Sequence, residues 1–167
     1  MTTLDAATAF VALGSNLGDR LGHLAGAVAA LRDVPGVRVA SVSRIVETPA
    51  LTLPGQAPQP DFLNAVVCVE TALGPHDLLA AFHRIEADAG RVRADNAAGR
   101  WAARPLDLDL LVYGDLVLDT PGLTLPHPRL TERRFVLDPL AELAPDLVVV
   151  APGGTARTVA DWLAALG

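Results

Sequence analysis

Leu106-Asp107-Leu108-Asp109-Leu110 alternates apolar and acidic residues without a break. Successive side chains of a β-strand point to opposite faces, so this stretch has one consistent strand reading. Leu106, Leu108 and Leu110 enter a core, and Asp107 and Asp109 share the other face. Residues i and i+2 of a strand lie roughly 6.5 to 7 Å apart. Two bare carboxylates that close repel, and one of them holds its proton. A divalent cation beside them removes the conflict, and Mg²⁺ favours one or two carboxylates plus phosphate oxygens. Asp is also depleted in strands, so an exposed edge strand is a poorer account of the pair. The short D-x-D pattern alone has a high false-positive rate.

The surrounding residues add anion chemistry. Arg84, Arg91, Arg93, Arg100 and Arg104 are five of the thirteen basic residues. All thirteen are Arg, which excludes a lysine-dependent phosphate loop and any Schiff-base mechanism. Guanidinium groups match phosphate oxygens in pairs, and a cation with an Arg clamp is a recurrent set for phosphoryl transfer. His127, held between Pro126 and Pro128 and followed by Arg129, Arg133 and Arg134, is a further phosphate or ribose donor candidate. Standing alone, it reads as a turn residue. Phe62 and Asn64 share a strand face, and Phe135 follows the Arg pair. Each Phe alone reads as core, but a flat heterocycle needs such stacking faces and an amide that donates and accepts.

The chain has 167 residues, 51% of them apolar, with only 4% aromatic. One domain over residues 1–167 with an aliphatic core is expected. A net charge of −6 disfavours nucleic-acid binding. Cys68 lies among apolar residues and reads as a small core side chain, with no disulfide framework. Met1 to Thr8 lacks a secretory pattern and no apolar run is long enough to span a membrane, so a cytoplasmic protein without a membrane partner is expected.

Residues 9–13 predict a buried strand that closes at Gly14-Ser15-Asn16. Asp19 is placed to cap a helix carrying Leu21, Leu24, Val28 and Leu31 inward, and Pro35-Gly36 stops it. Val37 to Glu47 predicts one long strand, and Leu51 to Pro60 a proline-rich loop. Asp61 to Thr71 is its antiparallel partner. A helix from Pro75 to about Ala89 follows, ended by Gly90, and then an Arg-rich loop over residues 91–104. After the acidic strand, Gly114-Asp115 signals a hairpin that brings Leu116 to Leu118 back. Residues 121–128 read as irregular, Thr131 to Leu143 as a helix interrupted by Pro139, residues 148–150 as a strand and residues 158–166 as a closing helix. The leading β-α-β-β-α-β order matches a ferredoxin-like α+β fold, a mainly antiparallel sheet with helices on one face.

Taken together, Gly14 to Asp19, Glu47 to Pro49, Phe62 to Asn64, Arg84 to Glu86, Gly90 to Arg93, Arg104 to Leu110 and Leu125 to Leu130 make a specific set. In that order they resemble the 6-hydroxymethyl-7,8-dihydropterin pyrophosphokinase family over about residues 9 to 150. The resemblance implies a ferredoxin-like fold and transfer of diphosphate from MgATP to the pterin's hydroxymethyl oxygen, releasing AMP, in folate biosynthesis. It implies that Asp107 and Asp109 hold two Mg²⁺ ions, and that Arg91, Arg93 and Arg104 belong to the catalytic loop and its exit. It implies that Phe62 and Phe135 sandwich the pterin, that Trp101 closes over it, and that Asn64, with Thr48 and Leu51, reads its edge. Glu86, Leu110, Thr124, His127 and Arg133 match the nucleotide side. A monomer is expected. Thr131 and Asp138 are less usual at their positions and carry no assigned role. A D-x-D nucleotide-sugar transferase ranks low, because its long nucleotide domain does not fit this length. A ligand-binding module without catalysis predicts no AMP when the pterin is added to ATP.

Overall fold

A computed structural model describes residues 5–50, 52–90 and 103–167. Strand β1 (Ala7–Ser15) leads into helix α1 (Arg20–Asp33). The side chain of Asp19 accepts the Gly22 amide at 3.0 Å, which satisfies one of the free donors at the start of α1. Leu24, Ala27 and Leu31 of α1 are buried, whereas Leu21 is 59% exposed and does not join the inward face. Strands β2 (Val37–Val42), β3 (Val46–Thr48) and β4 (Phe62–Thr71) follow, then helix α2 (Pro75–Asp88) and strand β5 (Asp107–Tyr113).

The main sheet runs β2-β4-β1-β5, with β3 also paired to β4. Every registered pair in it is antiparallel. This is the split βαβ arrangement expected from the element order. The long strand expected over Val37 to Glu47 is instead two strands, both on β4, with a break at residues 43–45.

Helices cover both faces of the sheet, not one. On the first face, Val11, Leu13, Val67, Leu108 and Leu110 pack with α1 and α2. On the second, Phe10, Val66 and Leu111 pack with helix α3 (Arg134–Leu143) and helix α4 (Val159–Ala165). The continuous apolar runs of β1 and β4 carry the reason: a strand covered on both sides has no solvent face to keep polar.

The hairpin expected after Gly114-Asp115 also differs. Strand β6 (Leu118–Thr120) pairs with β7 (Leu123–Leu125), in a region read as irregular, and not with β5. Its turn is Pro121-Gly122, and Gly122 has φ 84°, the left-handed conformation glycine adopts without steric cost. A three-residue 3₁₀ turn at Leu130–Glu132 precedes α3, and α3 holds Pro139 within it. Strands β8 (Val148–Val150) and β9 (Ala156–Thr158) form a small hairpin before α4. Among the described residues, no helix is long and apolar enough to cross a membrane.

Candidate active site

The second face of the sheet is not fully covered. Where the strand ends of β1, β4 and β5 meet the start of α3, a cleft opens. Its floor follows from register: Ala12 lies opposite Asp109, and Gly14 lies between Asp107 and Asn64. Directly opposed residues share a face. Small residues at these two positions leave the space empty. A Cβ on Gly14 would lie 3.4 Å from Asn64 Oδ1 and 3.6 Å from the Phe62 ring.

Asp107 and Asp109 both line this cleft, while Leu106, Leu108 and Leu110 are buried behind it. The alternation therefore works as expected from the sequence. Burial pushes the Asp109 carboxyl up to about 7, and the neighbouring Asp107 charge adds to the rise. Arg133 and Arg104 pull the other way without cancelling it. Arg104 Nη1 lies 3.6 Å from Asp107 Oδ2. Among the described residues, no cluster of three or more His, Cys, Asp or Glu side chains is arranged to hold a metal.

Two aromatic rings and two guanidinium groups line the same space. Arg104 sits 5.9 Å from the Phe62 ring centre, and Arg133 sits 5.7 Å from that of Phe135. These separations lie within reach of a cation–π attraction. Burial lowers the Arg133 pKa from its ordinary value, although Asp109 opposes that shift. Asn64 is buried, and its Nδ2 donates to Thr48 Oγ1 at 2.8 Å. The pair forms one corner of the cleft, beside Pro49.

His127 is held by two backbone links. Its amide donates to the Leu111 carbonyl at 2.8 Å, and its Nδ1 accepts the Arg129 amide at 3.2 Å. Nδ1 is thus the unprotonated nitrogen, and Nε2 is the donor. Burial, followed by the Arg133 charge, lowers the His127 pKa to about 4. The ring is neutral at pH 7.

Thr48, Phe62, Asn64, Arg104, Asp107, Asp109, His127, Arg133 and Phe135 therefore gather at one cleft. Glu86, Leu110 and Thr124 do not line it. Glu86 is 1% exposed and accepts the Leu108 amide at 3.2 Å; Leu110 packs in the α1/α2 core; Thr124 bonds Asp119 at 3.3 Å. Leu51, Arg91, Arg93, Arg100 and Trp101 lie outside the described residues.

Asn16 is a residue that sequence reasoning left in a turn. It is fully buried and joins three segments. Its Oδ1 accepts the Arg104 amide at 2.9 Å, and its own amide donates to the Arg104 carbonyl at 3.2 Å. Its Nδ2 donates to Gln59 Oε1 and to the Pro60 carbonyl, each at 3.2 Å. The end of β1, the approach to β5 and the proline-rich loop are thereby held together. The signal was the Gly14-Ser15-Asn16 run, richer in hydrogen-bonding groups than a tight turn requires.

Residues 10–145 match the family model described as 7,8-dihydro-6-hydroxymethylpterin-pyrophosphokinase (HPPK). The 2-amino-4-hydroxy-6-hydroxymethyldihydropteridine pyrophosphokinase of Methylorubrum extorquens is 46% identical over 158 residues, covering 95% of this chain and 92% of that protein. The protein of the same name from Pseudomonas aeruginosa is 44% identical, over 83% of this chain and 81% of that one. A solved HPPK-DHPS structure in complex with substrates superposes with a TM-score of 0.69 at 11% identity. That likeness shows the fold, and it covers 96% of this chain but only 43% of the solved one.

Proposed function

The chain belongs to the 7,8-dihydro-6-hydroxymethylpterin-pyrophosphokinase family, and from that premise we propose how its cleft works. It transfers diphosphate from ATP to the hydroxymethyl oxygen of 6-hydroxymethyl-7,8-dihydropterin, giving the pterin diphosphate and AMP, a step of folate synthesis. One observation carries the assignment of residues. Two same-face aspartates, two arginines and two phenylalanines converge on a single cleft whose floor is kept bare by Gly14 and Ala12.

The donor set suits a hard divalent cation. Two carboxylates lie on one wall, and Asp109 is pushed up to about 7 by burial beside Asp107, a conflict that a cation relieves. Asp107 and Asp109 are the residues that would hold Mg²⁺, two ions by the family resemblance. When bound, Mg²⁺ offsets charge on the triphosphate and on the attacking and leaving oxygens.

The chain's own side chains do the rest. Phe62 and Phe135 stack the flat pterin from two sides. Asn64 spends one amide hydrogen on Thr48, which leaves Oδ1 to accept from a ring N–H or amino group of the pterin. That bond orients the hydroxymethyl arm toward the aspartates. Arg104 and Arg133 bind the transferring phosphates, and each keeps one flank against a Phe ring. Neutral His127 donates from Nε2 to a phosphate oxygen. The family resemblance assigns Arg91, Arg93 and Trp101 to excluding water, so that the diphosphate reaches the pterin and not solvent. Glu86, Leu110 and Thr124 do not line the cleft, and their assignment to the nucleotide rests on the family resemblance; Glu86 accepts the Leu108 amide and so acts on β5 from behind. The family resemblance assigns Leu51, like Thr48, to reading the pterin edge. We further propose that residues 1–167 act as one domain and as a cytoplasmic monomer.

The test is AMP release from ATP with and without the hydroxymethyl pterin. The proposal expects pterin-dependent AMP and its loss in Asp107→Ala. AMP formation that ignores the pterin, or survives that substitution, overturns the residue assignment.

A further inference from the structure

The break between β2 and β3 does more than interrupt a strand. Ser43 bridges it: its amide donates to the Val66 carbonyl at 2.9 Å, and its hydroxyl accepts the Val66 amide at 2.9 Å. The same hydroxyl donates to the Arg44 carbonyl at 2.8 Å. The side chain thus takes over a ladder bond and releases Arg44 from the sheet edge. Arg44 then reaches helix α3. Its Nη2 lies 2.8 Å from Asp138 Oδ1, and its backbone amide donates to Glu142 Oε2 at 3.0 Å. Nη1 lies 3.8 Å from the same Glu142 oxygen. Asp138 and Glu142 stand four residues apart on α3, so they share one face of the helix.

The two ends of this clamp belong to different walls of the cleft. Arg44 feeds directly into β3, which carries Thr48 and its bond to Asn64. Asp138 lies one turn beyond Phe135 on α3. Stability gives a weak account of the contact. The Arg44 side chain is 56% exposed and Asp138 36%, and exposed ion pairs contribute little. Helix α3 is already anchored by buried Val136, Leu137 and Leu140. The Arg44 contacts add a tie between this helix and the chain leading into β3.

We propose that Arg44, with Asp138 and Glu142, is a positioning residue that sets the gap between the ring-stacking wall at Phe135 and the edge-reading corner at Thr48 and Asn64. It acts on pterin affinity and leaves the transfer chemistry alone. This rests on the reading above, in which the pterin lies against Phe135.

Steady-state kinetics on the full chain test it. Arg44→Ala is expected to raise the pterin KM about fivefold, with kcat and the ATP KM nearly unchanged, the mark of lost ground-state positioning. Arg44→Lys, which keeps one ion pair, should restore part of the loss. Added salt should raise the wild-type pterin KM toward the Arg44→Ala value and leave the variant flat. A changed Tm with an unchanged pterin KM, or equal rises in both KM values, overturns the proposal. Phe135→Ala separates the two levels of the argument. If it raises the pterin KM while Arg44→Ala does not, only the clamp fails; if it does not, the stacking assignment fails and takes the clamp with it.

Discussion

Strand β5 has two faces with opposite duties, and the regions they look into differ in kind. Behind it, Leu106, Leu108 and Leu110 sit in a closed apolar layer under α1 and α2. In front of it, Asp107 and Asp109 look into a cleft where charge is crowded and one carboxyl is held partly protonated. The back layer is satisfied and the front is not. The crowding in front, eased by the raised Asp109 carboxyl and by Arg104 beside Asp107, is tolerable because the layer behind supplies the stability. Fold and chemistry are thus separable by single steps along one strand.

That separation can be broken by substitution. The largest effect is expected in front: Asp107→Ala or Asp109→Ala should slow diphosphate transfer by about 10³-fold, with little change in melting temperature. A variant that unfolds instead would show the two faces to be energetically coupled. Behind the strand, Leu108→Ala should cost about 3 kcal/mol by chemical denaturation, since it empties a site that is 3% exposed. The protein that remains folded should keep its kcat. Asn16 lies at the seam between the two regions. Asn16→Ala orphans buried partners and should cost about 2 kcal/mol. It should also lower activity, because the Arg104 backbone loses its anchor. A pure stability loss would assign Asn16 to the back layer alone.

The subtlest comparison is in pH. Asp109 titrates near 7 in the folded protein and near an ordinary carboxylate value of about 3.9 unfolded. Between those values the folded state binds the extra proton. The metal-free protein therefore loses this stabilisation as pH rises from about 4 to 7. His127 has the opposite sign. Its folded pKa is about 4 against about 6.5 unfolded, so its burial destabilises progressively as pH falls through that window. The two trends oppose each other in the wild type. Metal-free Asp109→Asn should retain only the acid-side loss, and His127→Gln only the loss toward neutral pH. Identical pH profiles in both variants would refute the assignment of either shift.

Much of the site could be read before any coordinates. The acidic alternation, the Phe62–Asn64 spacing and the Asp19 cap all depend on neighbours within four residues, and each appears as expected. Three features were not legible. Nothing local in Val37 to Glu47 says that Ser43 replaces a ladder bond, since its partner Val66 is 23 residues away. Asn16 looked like a turn residue because its partners lie at Gln59, Pro60 and Arg104. The clamp from Arg44 to Asp138 spans 94 residues. Each depends on strand register and helix docking, which sequence spacing does not encode.

By itself the sequence determined which side chains of β5 face together, since a period of two leaves a strand no choice about its own sides. It also determined the element order that yields a split βαβ sheet. Only the tertiary structure decided what each side meets. Pairing β5 to β1 set Asp109 over Ala12 and Asp107 over Gly14, and pairing β4 to the same strand brought Asn64 across from them. A one-residue slip in either register would carry a whole row of side chains to the opposite face. The cleft therefore depends on long-range register, which two buried faces of aliphatic packing hold in place.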